Sequence, residues 1–229
     1  MRILALDCST EWLSVAVSDG ASLREHREHA VRSHSERALP VARELLDRAG
    51  LALADLDGIA FGAGPGAFTG IRIACGVAQG LSLGASLHVV GVSTLEALSE
   101  EALSLHGATR VCACLDARMG EVYVATYVRE SDYWREIEPA RVIKPVQIKA
   151  MSDGFFGAGD GFATYPQLAT QLALRAHDAT LLPSAAAIAR LAAPRLQAGE
   201  GVPAERALPI YVRHRVALTS AERAAGEVL

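Results

Sequence analysis

Aromatic residues supply only 5% of this 229-residue chain, and no cluster of lysines and arginines forms a basic stripe along it. Strong stand-alone nucleic-acid binding needs cations for the phosphates and often rings for stacking. Both shortages argue against it, though not against a surface shared with a basic partner. Long apolar runs are missing as well. None reaches membrane-spanning length, and Asp7 breaks the apolar start after four residues, too early for a signal peptide. The cytoplasm is therefore the expected location. The four cysteines (Cys8, Cys75, Cys112, Cys114) lack the spacing of a zinc knuckle or a thioredoxin motif. They read as small buried hydrophobes, with Cys112 and Cys114 on one face of a strand. The seven histidines show no ligand pattern. His26 and His29 fall three apart in a strand-like run and point to opposite faces; His34 stands at a helix start. Surface or capping roles are expected of them. His-Glu-x-x-His is absent, which excludes that metalloprotease chemistry, and no Ser/His/Asp arrangement is visible.

What is present is a folded, mildly acidic protein, 51% apolar with net charge -4, long enough for one large domain or two small ones. Its most informative stretch is Phe61-Gly62-Ala63-Gly64-Pro65-Gly66-Ala67-Phe68-Thr69-Gly70-Ile71-Arg72. There a short apolar strand enters glycines and then a helix. Such a junction can bind an anion through free helix N–H groups, or can seat a neighbouring element closely. It has an echo in Phe156-Gly157-Ala158-Gly159-Asp160-Gly161-Phe162. A second echo pairs Leu6-Asp7 and Ser14–Val17 with Leu115-Asp116 and Tyr123–Thr126. Two echoes in the same order suggest a duplicated unit of roughly a hundred residues.

Strands are expected at Arg2–Cys8, Trp12–Ser18 and Ser22–Ala30. A helix follows to Ala49, with Ser33 and Glu36 as a capping box and Gly50 as the stop. Pro40 either kinks that helix or lies in the first turn of a shorter one. Next come a strand at Gly58–Phe61, a long helix from Ala67 to Leu83, a short strand at His88–Val90 and a helix from Ser93 to Leu105. The second half offers strands at Arg110–Leu115, Glu121–Arg129, Tyr133–Ile137 and Phe155–Gly159. Residues 138 to 155 give no clear pattern. A helix at Ser184–Leu196 is interrupted or ended at Pro194, an extended piece covers Pro209–Arg215, and a loose tail runs from Thr219. The halves divide at 1–106 and 107–229.

A duplicated β-β-β-α-β-α unit with an Asp ending its first strand resembles the actin/hexokinase/Hsp70 ATPase superfamily, a ribonuclease H-like α/β fold with mixed sheets. Active members hold phosphate at two glycine turns. Here the turns read Asp7-Cys8-Ser9-Thr10 and Asp116-Ala117-Arg118-Met119-Gly120, with Ser9, Arg118 and Met119 where glycines are expected. A narrower resemblance spans nearly the whole chain. Ile3–Asp7, His34–Pro40, Gly64–Arg72, Gly91–Leu95, Leu115–Tyr123 and Pro209–Arg213 are similar to strings of the bacterial TsaB (YeaZ) family. The resemblance implies a partner subunit for making N6-threonylcarbamoyladenosine at position 37 of tRNAs that read codons beginning with A. The paralogue TsaD carries the chemistry, the ATPase TsaE joins the two, and tRNA is met only through the complex. The paralogue's metal-binding His-x-x-x-His corresponds to Thr94–Leu98, which lacks both histidines. A non-catalytic chain is implied, with no cofactor of its own and ATP or ADP at a complex interface.

Gly76, Gly80 and Gly84 recur every four residues and line one helix face. Interior glycine costs about 1 kcal/mol against alanine, so a compensating close approach is expected, to a partner helix or to the chain's own sheet. The helix before it carries an apolar band wider than one core stripe. The expected partner interface is Ala38, Val41, Ala42 and Leu45 with Ile73, Gly76, Val77, Gly80, Leu81 and Gly84, facing TsaD or a second copy of this chain. Asp7, Thr10, Gly64, Gly66, Arg72, Asp116 and Arg118 are the expected cleft or nucleotide contacts. The two aspartates either position an ion or tie down their turns, and the arginines either meet a ligand or pair internally. Tyr211 and Arg213 are expected to dock on the cleft or the partner. An ATPase or small-molecule kinase of the same superfamily is the competing reading; a protease-like homodimeric regulator is a distant third.

Overall fold

The computed structural model describes residues 1–151 and 154–213. The tail from Thr219 and the end of the Pro209–Arg215 segment therefore lie outside the described residues. In chain order come β1 (Arg2–Asp7), β2 (Trp12–Asp19), β3 (Leu23–His29), α1 (His34–Ala49), β4 (Gly58–Gly64), α2 (Phe68–Ala85), β5 (Val89–Ser93) and α3 (Thr94–His106). They are followed by β6 (Arg110–Asp116), β7 (Val122–Glu130), β8 (Tyr133–Ile143), β9 (Phe156–Ala158), α4 (Gly161–Thr164), α5 (Gln167–Gln171), β10 (Ala176–Asp178) and α6 (Ala185–Gln197).

The strands form two five-stranded sheets of matching order, β3-β2-β1-β4-β5 and β8-β7-β6-β9-β10. In each, the first three strands run antiparallel and the last two join parallel. The duplicated, mixed-sheet α/β fold is thus present. The echoing letters, however, are out of register. Phe61 lies opposite Leu6, one residue before Asp7, whereas Phe156 lies opposite Val111, five residues before Asp116. The second glycine turn comes early because β9 stops at Ala158. The other echo slips by one: Ser14 faces Asp7, but Val122, not Tyr123, faces Asp116.

Side chains alternate across the strands, and here both faces are covered. Ile3 and Ala5 join Val111, Ala113, α3 and α6 in a core between the sheets, while Leu4 and Leu6 face α1 and α2 on the outer side. Cys112 and Cys114 do share a face, against the outer helices of the second sheet. The middle layer explains three acidic residues that sequence reading passed over. Glu96, Glu100 and Glu101 of α3 are buried. Each is met by arginine: Glu96 by Arg195, Glu100 by Arg129 (3.3 Å) and Arg190 (3.4 Å), Glu101 by Arg190 (3.1 Å). Trp134 donates its indole N–H to Glu100 at 2.9 Å.

Helix α1 runs from His34 on past Pro40, and α6 past Pro194, so neither proline ends its helix. Pro40 is exposed, as is Glu36, whose carbonyl loses its partner and can turn to water. The capping box at Ser33 and Glu36 does not form through side chains. Segment 138–155 continues β8 to Ile143 and then makes a 3-10 turn at Pro145–Gln147. The real side-chain cap is Ser184, which accepts from Ala187 N–H (3.0 Å) and donates to Glu101 (2.5 Å). Ser184→Ala is expected to cost about 1–2 kcal/mol, read as a lower midpoint in urea with an unchanged slope.

Candidate functional site

The Asp7 turn is held by its own chain. The Asp7 Oδ2 atom accepts from the Ser9 N–H (3.1 Å) and hydroxyl (2.8 Å), while Oδ1 is buried without a partner. Asp7 is 1% exposed, and burial pushes its carboxyl up to about 6 against the pull of the Ser9 hydrogen bonds. A Cβ at Gly62 would come 1.9 Å from Oδ1, so glycine there makes room for the carboxylate. Asp7 therefore sits beneath the cleft wall and is not a cleft contact.

The Gly64–Gly70 turn serves as a seat. A Cβ on Gly66 would reach 2.5 Å from the Ser9 carbonyl oxygen, and one on Gly70 1.8 Å from that of Cys8. Ala67 N–H, at the head of α2, donates to the Ser9 carbonyl at 2.7 Å. In the second turn Asp116 N–H goes to Asp160 (2.9 Å), Ala117 N–H to the Glu121 carbonyl (3.0 Å) and Arg118 N–H to Asp116 Oδ1 (3.0 Å). Five amides of the two turns, those of Ser9, Ala67, Asp116, Ala117 and Arg118, thus bond internally and cannot cradle a phosphate. Arg118, Met119 and Gly120 all take left-handed backbone, φ 60°, 58° and 74°, which leaves this turn tight without a glycine at its first two positions.

Between the two turns lies a cleft of about 650 Å³, lined among others by Thr10, Gly66, Asp116, Arg118 and Asp160. Thr10 Oγ1 accepts from Trp12 N–H at 3.2 Å. Arg118 bridges the cleft to Glu11 at 2.9 Å and leans on Asp116 at 3.4 Å. Burial raises the Asp160 carboxyl above the usual carboxylate range. Arg72 stacks 3.6 Å from the centroid of the Phe68 ring and donates to the Tyr211 hydroxyl at 2.8 Å. Both candidate cations are thus internally engaged. Sequence reasoning missed Glu11 and Asp160, although Asp160 stands in the glycine echo where Pro65 stands in the first turn.

Thr94 and Leu98 are occupied with packing. Thr94 donates to the Pro65 carbonyl at 2.5 Å, and Leu98 is fully buried. Among the described residues no group of three or more His, Cys, Asp or Glu could hold a metal ion. The four thiols are buried and pushed up by desolvation, which makes them poor nucleophiles. His34 is buried, with Nε2 unpartnered, and so is neither a surface residue nor a cap. Among the described residues no helix is long and apolar enough to cross a membrane.

On the outer layer, α1 and α2 lie side by side. Ala38, Val41, Ala42 and Leu45 turn into the chain's own core, at most 4% exposed. They cannot meet a partner, which corrects their place in the expected interface; the wide band of α1 is filled by sheet and α2 together. On α2 the outcome is opposite. Gly76, Gly80 and Gly84 are exposed, and a Cβ on any of them would meet nothing within 4 Å. Ile73, Val77 and Leu81 are half-buried beside them. The chain's own sheet is therefore not what these glycines accommodate.

Comparison with known proteins places this geometry. The Escherichia coli tRNA threonylcarbamoyladenosine biosynthesis protein TsaB is 41% identical over 95% of this chain and 96% of its own length. The chain belongs to the TsaB family. The Haemophilus influenzae TsaB protein is 40% identical over 94% of this chain and 95% of its own. The YeaZ structure from Pseudomonas aeruginosa superposes with a TM-score of 0.84 at 42% identity, covering 92% of this chain and 99% of that one. A second Pseudomonas aeruginosa structure, described as similar to the peptidase YeaZ, gives 0.87 at 44% identity over 93% and 99%. The family model described as TsaD, tRNA N6-adenosine threonylcarbamoyltransferase, matches residues 26–219. TsaB proteins are thus kin to the transferase. Among the described residues of this TsaB-family chain, no serine or cysteine side chain hydrogen-bonds a histidine, as a hydrolytic dyad would.

Proposed function

We propose that this chain acts in tRNA threonylcarbamoyladenosine biosynthesis as a non-catalytic subunit, docking its α2 glycine face on a helix of the TsaD paralogue and so activating it. The observation that carries the proposal is the exposed row Gly76, Gly80, Gly84, which has no intramolecular use. Two exposed interior glycines cost about 1 kcal/mol each in helix stability, and a second helix approaching closely over them supplies the offsetting contact. Ile73, Val77 and Leu81 form the flank of that face. A second copy of this chain competes for it when the paralogue is absent, and TsaE and tRNA join through the complex in the cytoplasm. No cofactor is assigned to the isolated chain; ATP or ADP belongs at the complex interface.

The turns support a subunit rather than an ATPase. The amides of Ser9, Ala67, Asp116, Ala117 and Arg118 and the side chains of Arg72 and Arg118 already have internal acceptors, and Thr94 and Leu98 serve packing where the transferase would hold metal. The direct test reconstitutes the tRNA modification with the paralogue, TsaE, threonylcarbamoyl-adenylate and tRNA, with and without this chain. Product forming equally well without it overturns the proposal. ATP binding by the isolated chain at submillimolar affinity, lost in Thr10→Ala, would favour the ATPase reading instead.

A further inference from the structure

After α6 the chain makes a 3-10 turn at Ala204–Arg206 and then continues without strand pairing, yet it is fastened almost residue by residue. The Ala207 carbonyl accepts from Gln79 Nε2 (2.9 Å) and Cys75 Sγ (3.4 Å) on α2. Ile210 N–H donates to the Ala63 carbonyl at 2.7 Å. Its own carbonyl oxygen lies where a Cβ on Gly64 would come within 2.8 Å, and Gly64 has φ +114°, so only glycine admits the segment there. Tyr211 takes the Arg72 hydrogen bond and packs its ring 6.0 Å from that of Phe68. All of these anchors belong to the first lobe. Two residues on, Arg213 reaches the second: Nη2 donates to the Ala117 carbonyl (2.9 Å) and Glu121 (2.7 Å), and Nη1 lies 3.2 Å from Met119 Sδ.

Two strings that carry the family resemblance, Gly64–Arg72 and Pro209–Arg213, are thus the halves of one fastening. Ile210, Tyr211 and Val212 also wall both the 650 Å³ cleft and a second cavity of about 530 Å³ behind it. At their base the lobes share the core built on α3 and α6. At the mouth they also meet through Glu11 and Arg118, whose side chains are 57% and 73% exposed, a pair that water and salt weaken. The Arg213–Glu121 bond is far better shielded, with Arg213 13% exposed, and charge-assisted.

We propose that Ala207–Arg213 is a clasp. Hooked to the first lobe through Tyr211 and to the second through Arg213, it holds the mouth of the cleft closed and divides the space inside, while α3 and α6 form the base about which the lobes would otherwise swing. Its working does not depend on the partner.

The test is a distance measurement across the mouth by double electron–electron resonance. Spin labels go on Thr69→Cys and Thr164→Cys, exposed positions on α2 and α4, in full-length chain diluted with unlabelled chain. The buried native thiols do not compete for label. The parent is expected to give one narrow distribution. Arg213→Gln widens it roughly two-fold and moves it to longer distance, Tyr211→Phe shifts it less in the same direction, and Glu11→Gln leaves it as it was. An unchanged distribution in folded Arg213→Gln overturns the clasp, since α3 and α6 then suffice. Should Arg213→Gln fail to unfold cooperatively, Tyr211→Phe decides alone: widening supports the clasp, and parental width overturns it.

Discussion

Gly80→Arg is expected to abolish association with the TsaD paralogue while leaving the isolated chain folded. A Cβ at Gly80 meets nothing within 4 Å, so the arginine extends into solvent and relieves the glycine penalty in the helix. In a close helix pair the same side chain occupies the volume of the partner's backbone, and a loss of more than about a hundred-fold in affinity, ~3 kcal/mol, is expected. Gly80→Ala separates the two effects. It should stabilise the isolated chain by about 0.5–1 kcal/mol, a gain of roughly 1–4 °C in Tm for a chain of this size, yet weaken the complex. Calorimetry on the single chain and light-scattering chromatography with the paralogue read both. Undiminished binding by folded Gly80→Arg would remove the α2 face from the interface.

Asp7→Asn is expected to stabilise the protein at neutral pH by about 3 kcal/mol, and to lose that advantage in acid. The sign follows from burial. The unfolded carboxyl ionises near 3.8 and the folded one near 6, so the folded state holds its proton more tightly. Below the unfolded value both states are neutral and Asp7 costs nothing extra. As pH rises from there to about 6, the unfolded chain gains from ionisation and the folded chain does not, so stability falls; above that the loss is constant. The neutral amide has no such slope, and its carbonyl can still accept from Ser9. Denaturant midpoints of parent and variant measured between pH 4 and 7.5 should therefore diverge with rising pH. Parallel curves would mean that Asp7 is solvated in the folded state. Because Asp7 lies beneath the cleft wall, the variant should keep paralogue binding.

Much of the strand order was legible, because Ile3–Leu6, Gly58–Phe61 and Arg110–Leu115 are short apolar runs bounded by turns, the pattern of strands covered on both faces. Helix ends at Gly50 and the strand–glycine–helix junction were legible for the same local reason. The shorter helix from near Leu39 and the end at Pro194 do not occur, since a proline's cost depends on whether the freed carbonyl can reach water. The fragments α4, α5 and β10 carry too few residues for a periodic signal. The buried glutamates of α3 look like any solvated helix face until Arg129, Arg190 and Arg195 arrive from other elements.

The division at the candidate sites is sharper. Three glycines four residues apart must line one helix face by geometry alone, and the absence of histidine at Thr94 and Leu98 is a property of the letters. Which glycines face outward is not. Gly76 and Gly80 stand open, while Gly66 and Gly70 press on the carbonyls of Ser9 and Cys8, and identical residues take opposite roles. Ala38, Val41, Ala42 and Leu45 have the pattern of an interface and the burial of a core, because a helix stripe records only that something apolar covers it. Local pattern thus determined the longer strands and helices and their amphipathic faces by itself. Tertiary structure alone decided what covers each face, since burial and hydrogen-bond satisfaction depend on neighbours that other elements bring, as Gly62 comes to Asp7 and Arg195 to Glu96.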